Sequence, residues 1–129
     1  MQRIETSDKL GRRNGWLLPL WNVNERPDLR PDQVYLTVIA AGASKGPHLH
    51  KVREQRYYCI RGLVRVIMRG GGEYMTVDLA PGGEPVVVPP GLPSELLNLY
   101  AEESWVINMP APAWSPDDQD DWPVENWKP

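Results

Sequence analysis

The chain has 129 residues and a single cysteine, Cys59, so it is long enough to bury a core and cannot close a disulfide within itself. No apolar run approaches the ~18 residues of a membrane-spanning helix, and residues 1–20 carry Arg3, Glu5, Asp8, Lys9, Arg12 and Arg13 where a signal peptide needs an apolar centre. The net charge of −3 divides unevenly: residues 1–100 hold 13 Lys and Arg against 10 Asp and Glu, while residues 101–129 hold Lys128 against seven acids. A body with surplus Arg suits an anionic ligand, the acidic tail argues against nucleic acid, and a cytoplasmic location without membrane contact is expected.

In chain order, fourteen prolines and eleven glycines cut the sequence into short apolar or alternating runs. These are "GWLLPLW", "QVYLTVIA", "RYYCI", "LVRVIM", "EYMTVDL", "EPVVVP", "ELLNLY" and "SWVINM", rich in Val, Ile, Tyr and Trp and bounded by turn residues. "RGGGEY" (Arg69–Tyr74) reads as a glycine hairpin turn and "APGGEP" (Ala80–Pro85) as a second turn. No long window supports a capped amphipathic helix; Glu95–Tyr100 comes nearest. The pattern predicts an all-β sandwich or small barrel in one domain, with the barrel at about 15–109. From Pro110 the chain lacks a strand pattern, so the acidic, Pro- and Trp-rich tail 110–129 should wrap the surface or a neighbouring subunit.

Both histidines lie in "GPHLHKVREQRYYCIRG" (Gly46–Gly62). His48-x-His50 is followed after four residues by Gln55 and after six more by Gly62. A second block runs Gly83, five residues, Pro89-x-Gly91, two residues, Ser94, three residues, Asn98. The two blocks resemble the paired motifs of the cupins, with Gln55 where that pattern has Glu and Ser94 where it has His. The resemblance implies a cupin jelly-roll barrel.

Side chains two apart on a strand share a face, so His48 and His50 should look into the barrel, with Gln55, Tyr57 and Cys59 on one face of the next strand. Glu54 has the opposite parity unless a bulge re-aims it. Ser94 should project inward from a facing strand. The same alternation makes Arg53, Arg61 and Arg65 inward candidates for a phosphate group and Arg56 an outward one. Two imidazoles and one carboxylate (His48, His50 and Glu54, with Gln55 as the weaker substitute) could hold a metal, which would make the chain a metal-dependent oxygenase or cyclase. A noncatalytic ligand-binding cupin is a further alternative.

"GPHLHK", "CIRGLVRVIM", "VVVPPGLP" and "PAWSPDDQDDWP" resemble the cupins that act on nucleotide sugars over roughly residues 15–123. These are the dTDP-4-dehydrorhamnose 3,5-epimerases and the dTDP-4-keto-6-deoxyhexose 3,4-ketoisomerases, whose histidine motif is similar to "HLHK". The resemblance implies an isomerase without cofactor or metal, acting on a dTDP-linked sugar, with His48 and His50 as the proton-transfer residues. It further implies Arg and Lys (Lys51, Arg53, Arg61, Arg65) on the diphosphate, and Gln55, Tyr57, Ser94 and Asn108 around the substrate. A histidine titrates near neutrality, which suits proton abstraction next to a carbonyl. The position of the 3,5-epimerase tyrosine acid falls near Asn108, with Trp114 as the tail aromatic, which favours one-site epimerisation or ketoisomerisation. Cupins commonly cover exposed strand edges by dimerising, so a homodimer with Trp16–Trp21 crossing to the partner is expected.

Overall fold

The computed structural model describes residues 3–24, 27 and 30–129. These form ten strands and, among the described residues, no α-helix. The chain divides into two compact units, residues 1–30 and 31–129.

In the first unit, β1 (Ile4–Ser7) and β2 (Arg13–Leu17) make an antiparallel hairpin, with Glu5 opposite Trp16 and Ile4 opposite Leu17. Asp8 organises the turn by accepting the Leu10 and Arg12 N–H groups, each at 2.9 Å. Ile4, Trp16 and Leu17 remain about half exposed.

The second unit holds β3 (Tyr35–Ile39), β4 (Ser44–His48), β5 (Gln55–Arg61), β6 (Val64–Gly70), β7 (Glu73–Leu79), β8 (Val86–Val88), β9 (Ser94–Asn98) and β10 (Ser104–Asn108). They pair as two four-stranded antiparallel sheets, in the orders β3-β10-β5-β8 and β4-β9-β6-β7. Alternation decides what fills the space between them. Val64, Val66 and Met68 of β6 are buried together with Leu96 of β9, Val106 of β10, Tyr57 and Cys59 of β5, and Val86 and Val88 of β8. This is the expected all-β cupin barrel.

Two motif residues prove to be architectural. The Asn98 amide donates to the carbonyls of Ile39, Ala40 and Glu102, and its oxygen accepts the Ser104 hydroxyl at 2.7 Å and the Tyr100 N–H at 2.8 Å. Gly62, at φ 90°, turns β5 into β6 directly over Ser104, whose Oγ a Cβ there would strike.

The eight runs read from the sequence each hold a strand. The two strands without such a signal are β1 and β4, the latter spelled "SKGPH". The tail wraps its own unit: Ala111 pairs with Glu54, Trp122 with Leu49, and the carbonyls of Glu125 and Asn126 accept from Arg69. Among the described residues, no helix is long and apolar enough to cross a membrane.

Candidate active site

β4 begins as a regular partner of β9, with Ser44 opposite Leu97 and Lys45 opposite Leu96, but the next pair is His48 with Ser94. Three steps along β4 therefore match two along β9, a bulge centred on Gly46 and Pro47. Gly46 stands at φ 113°, and a Cβ there would lie 2.8 Å from the Ser94 carbonyl oxygen. Only glycine fits. The extra residue changes the parity of the strand, so that Lys45, His48 and His50 all reach one cavity.

That cavity has a volume of about 470 Å³ and is lined from both sheets. Tyr35 and Thr37 enter from β3, Gln55 and Tyr57 from β5, Ser94 and Leu96 from β9. Gln33, Arg53 and two tail residues, Trp114 and Asp121, complete the wall.

The tail pins both histidines. His50 Nδ1 lies 2.5 Å from the main-chain oxygen of Asp120 and 3.3 Å from an Arg53 guanidinium nitrogen. A carbonyl only accepts and a guanidinium only donates, so the two contacts ask for opposite tautomers. The closer carbonyl decides: Nδ1–H donates to it, and Nε2 keeps the lone pair. His48 Nδ1 lies 3.3 Å from Asp121 Oδ1, which likewise draws a proton to Nδ1. The rings are nearly parallel, with centroids 6.0 Å apart.

Asp120 is itself held. Its carboxylate accepts the N–H groups of Lys51 at 2.8 Å, Val52 at 3.0 Å and Arg53 at 2.8 Å. Desolvation works to raise its pKa, but these three bonds and the Trp122 indole outweigh it and bring the carboxyl down to about 2. Beside it, the buried Arg53 guanidinium pairs with Asp118.

Behind the cavity wall a donor chain fixes Gln55. The Arg56 N–H can only donate, and it meets Asn108 Oδ1 at 3.1 Å. Asn108 must then turn its amide nitrogen to the Tyr35 hydroxyl, 2.8 Å away, and to Gln55 Oε1. The one atom by which Gln55 could ligate a metal is thereby engaged. Among the described residues no group of three His, Cys, Asp or Glu side chains could hold a metal ion. Burial pushes the Tyr57 phenol well above its ordinary pKa, with Tyr35 adding to the rise and Arg53 opposing it. Tyr57 thus stays a hydrogen-bond donor at neutral pH.

Of the residues expected at the site, His48, His50, Arg53, Gln55, Tyr57 and Ser94 line the cavity. Ser94 does so from the strand beside His48, not from a facing one. Arg61, Arg65, Lys51 and Asn108 do not line it. Register shifts where β10 meets the end of β5, so parity counted from Gln55 fails at Arg61, which pairs with Glu102 at 2.5 Å and stacks on Trp105. Arg65 follows a turn that resets parity: Val64 and Val66 point inward, and Arg65 binds Asp78 on the surface at 2.8 Å. Lys51 sits in the loop after β4, with its ammonium over Trp122, and Asn108 is buried behind Gln55. Glu54 lies outside the cavity. Arg56, expected to face outward, is buried with its guanidinium 3.6 Å from the Glu54 carboxylate. Sequence reasoning missed Gln33, Tyr35, Thr37, Lys45 and Asp121. Alternation in "QVYLTVIA" could have found Tyr35 and Thr37; the bulge hid Lys45.

A family model described as "FdtA: WxcM-like, C-terminal" matches residues 7–122. No curated protein sequence matches the chain. Among solved structures, CapF, the capsular polysaccharide assembling protein of Staphylococcus aureus, superposes at a TM-score of 0.66 with 20% identity. That match covers 71% of this chain and 28% of CapF, so the chain spans under a third of that protein's length. A 3,4-ketoisomerase from Helicobacter canadensis gives a TM-score of 0.73 at 16% identity, covering 94% of this chain and 86% of that one. A histidine-to-asparagine mutant of the 3,4-ketoisomerase QdtA from Thermoanaerobacterium thermosaccharolyticum, in complex with TDP-4-keto-6-deoxyglucose, gives 0.71 at 17%, covering 91% and 81%. At these identities the superpositions speak to the fold. With the family model spanning most of its length and the barrel agreeing with it, the chain belongs to the WxcM-like, C-terminal (FdtA) family of cupin-type domains.

Proposed function

We propose that the chain is an isomerase acting on a nucleotide-linked 4-keto-6-deoxy sugar by proton transfer through an enolate. The observation that carries this reading is the pair of imidazoles in one cavity, each with Nδ1 engaged by the tail. His50 is the base. With its proton on Nδ1, Nε2 takes the hydrogen from the carbon next to the 4-keto group, and the C–H electron pair forms the enolate. Tyr57, kept protonated by its burial, is the donor for the developing oxyanion.

Returning the proton to the opposite face of the same carbon gives an epimer. When carbon 3 loses its proton and carbon 4 receives one, the proton of the O3 hydroxyl passes to O4, so the ketone moves to carbon 3 and a hydroxyl is left on carbon 4. Lys45, with no carboxylate partner among the described residues, is the cation for the diphosphate, and Trp114 offers a face for the base. The TDP-4-keto-6-deoxyglucose bound in the QdtA complex and the ketoisomerase neighbours support this assignment.

The test is incubation with dTDP-4-keto-6-deoxyglucose in D2O. Deuterium should enter the sugar, and His50→Asn should lose about 10²–10⁴-fold in rate, the usual share of general-base catalysis. His48→Asn should cost less. The reading fails if no deuterium enters and the His50→Asn protein matches the parent, or if chelation of a tightly bound metal abolishes the activity.

A further inference from the structure

The Asp120 carboxylate occupies a concave run of three successive main-chain N–H groups, those of Lys51, Val52 and Arg53. The carbonyl of the same residue receives Nδ1–H of His50. One residue therefore grips the loop after β4 with its side chain and orients the base with its main chain. Lys51, Val52 and Arg53 sit in the middle of the loop between β4 and β5, outside any strand pairing, and their N–H groups bond to Asp120. A free imidazole in water favours the other tautomer, with the proton on Nε2. With that tautomer, Nε2 of His50 would be a donor and useless as a base.

We infer that Asp120 is a positioning residue for His50: its side chain locks the main-chain carbonyl that keeps His50 in the Nδ1–H tautomer. The inference rests on the reading of His50 as the base, but its first consequence concerns the resting protein and needs no substrate. Asp118 assists from one side by pairing with Arg53, and Trp122 from the other by bridging to Leu49. The tail thereby becomes part of the active site and not a surface wrap.

The experiment is nitrogen-15 NMR of the two imidazoles in the full chain near pH 8, where neutral tautomers are read directly. His50 in the parent protein should carry its proton on Nδ1. In Asp120→Ala the signal should move toward the Nε2–H form, and kcat should fall roughly 10- to 100-fold with KM changed little, less than loss of the whole base. Asp120→Asn keeps one acceptor oxygen and should recover part of both. Asp117→Asn, an exposed change in the same acidic run, should alter neither. The inference is overturned if His50 in the parent protein carries its proton on Nε2, a result that stands even if Asp120→Ala does not fold. It is overturned equally if a folded Asp120→Ala protein keeps both the tautomer and kcat. Absence of any sugar isomerisation beside an Nδ1–H His50 that depends on Asp120 would instead reject the proposed reaction and leave the positioning intact.

Discussion

Arg53 and Asp118 form an ion pair withdrawn from water, with side chains 2% and 14% exposed. Arg53 stands one residue before Glu54 in the lead-in to β5, and Asp118 lies in the tail, so the pair anchors the strap to the barrel. Removing one partner of a buried pair strands the other charge, which typically costs ~3–5 kcal/mol, whereas replacing both with apolar groups costs far less. Asp118→Ala should lower the urea-unfolding free energy by about that amount, and Arg53→Met with Asp118→Leu should recover most of it. A single variant within about 1 kcal/mol of the parent would contradict the pairing's structural weight.

The strap also has a predictable acid limit. The Asp120 carboxyl titrates at about 2 in the folded chain against an ordinary 3.8. A depressed folded pKa means that its stabilisation is complete above the ordinary value and is lost as the pH falls through the folded one. Stability should therefore decline between pH 4 and 2, and Asp120→Asn should flatten that part of the profile. An unchanged slope in the variant would assign the acid loss to other carboxylates.

How much of this site the sequence could express depends on the kind of contact. Period-two alternation placed His48, His50, Gln55, Tyr57 and Ser94 together, and they line one cavity, because strand parity is local and obeys one rule. It failed at Lys45 and Arg61, where an extra residue in one strand reverses the count, and at Arg65, beyond a turn. The tail contacts to His48, His50 and Arg53 span 65 to 73 residues. Acids in an unpatterned Pro-rich segment give no periodic signal, so these could not be read at all.

Gly46 offers a sharper test of the bulge. Gly46→Ala places a Cβ 2.8 Å from the Ser94 carbonyl at a φ of 113°, where both the contact and the backbone oppose it. The cost should be of order 1–3 kcal/mol. Activity should fall further than stability alone explains, because His48 and Lys45 lose their shared aim. Crystals of the variant would check the register: β4 paired as in the parent would show that the bulge does not need glycine.

The hairpin β1–β2 predicts assembly. A two-stranded hairpin is at best marginally stable by itself in water, and this one leaves Ile4, Trp16 and Leu17 about half exposed. The edge strand β3 independently exposes Leu36 and Val38. A homodimer is expected in which the stretch Trp16–Trp21 of one protomer covers the partner's sheet. Light scattering at micromolar concentration should give twice the chain mass, and Trp16→Ser should shift it toward monomer. A monomeric parent protein would refute the assembly.

The donor set around the histidines yields the last prediction. His48 and His50 present two imidazoles, Ser94 stands beside His48 across the strand pair, and Gln55 turns its oxygen to Asn108. The cupin metal pattern would have His and Glu at those two positions. Gln55→Glu with Ser94→His should therefore supply the missing imidazole and an anionic oxygen, while Asn108 can still donate to the new carboxylate as it does to the amide. Affinity for Zn or Ni should rise roughly tenfold or more by titration calorimetry. Binding requires neutral imidazoles with free lone pairs, so the same double variant should lose deuterium exchange as metal is added, since Nε2 of His50 cannot serve a metal and a proton together. Equal metal affinity in the parent and the double variant would mean that the cavity does not hold these four positions in a common shell.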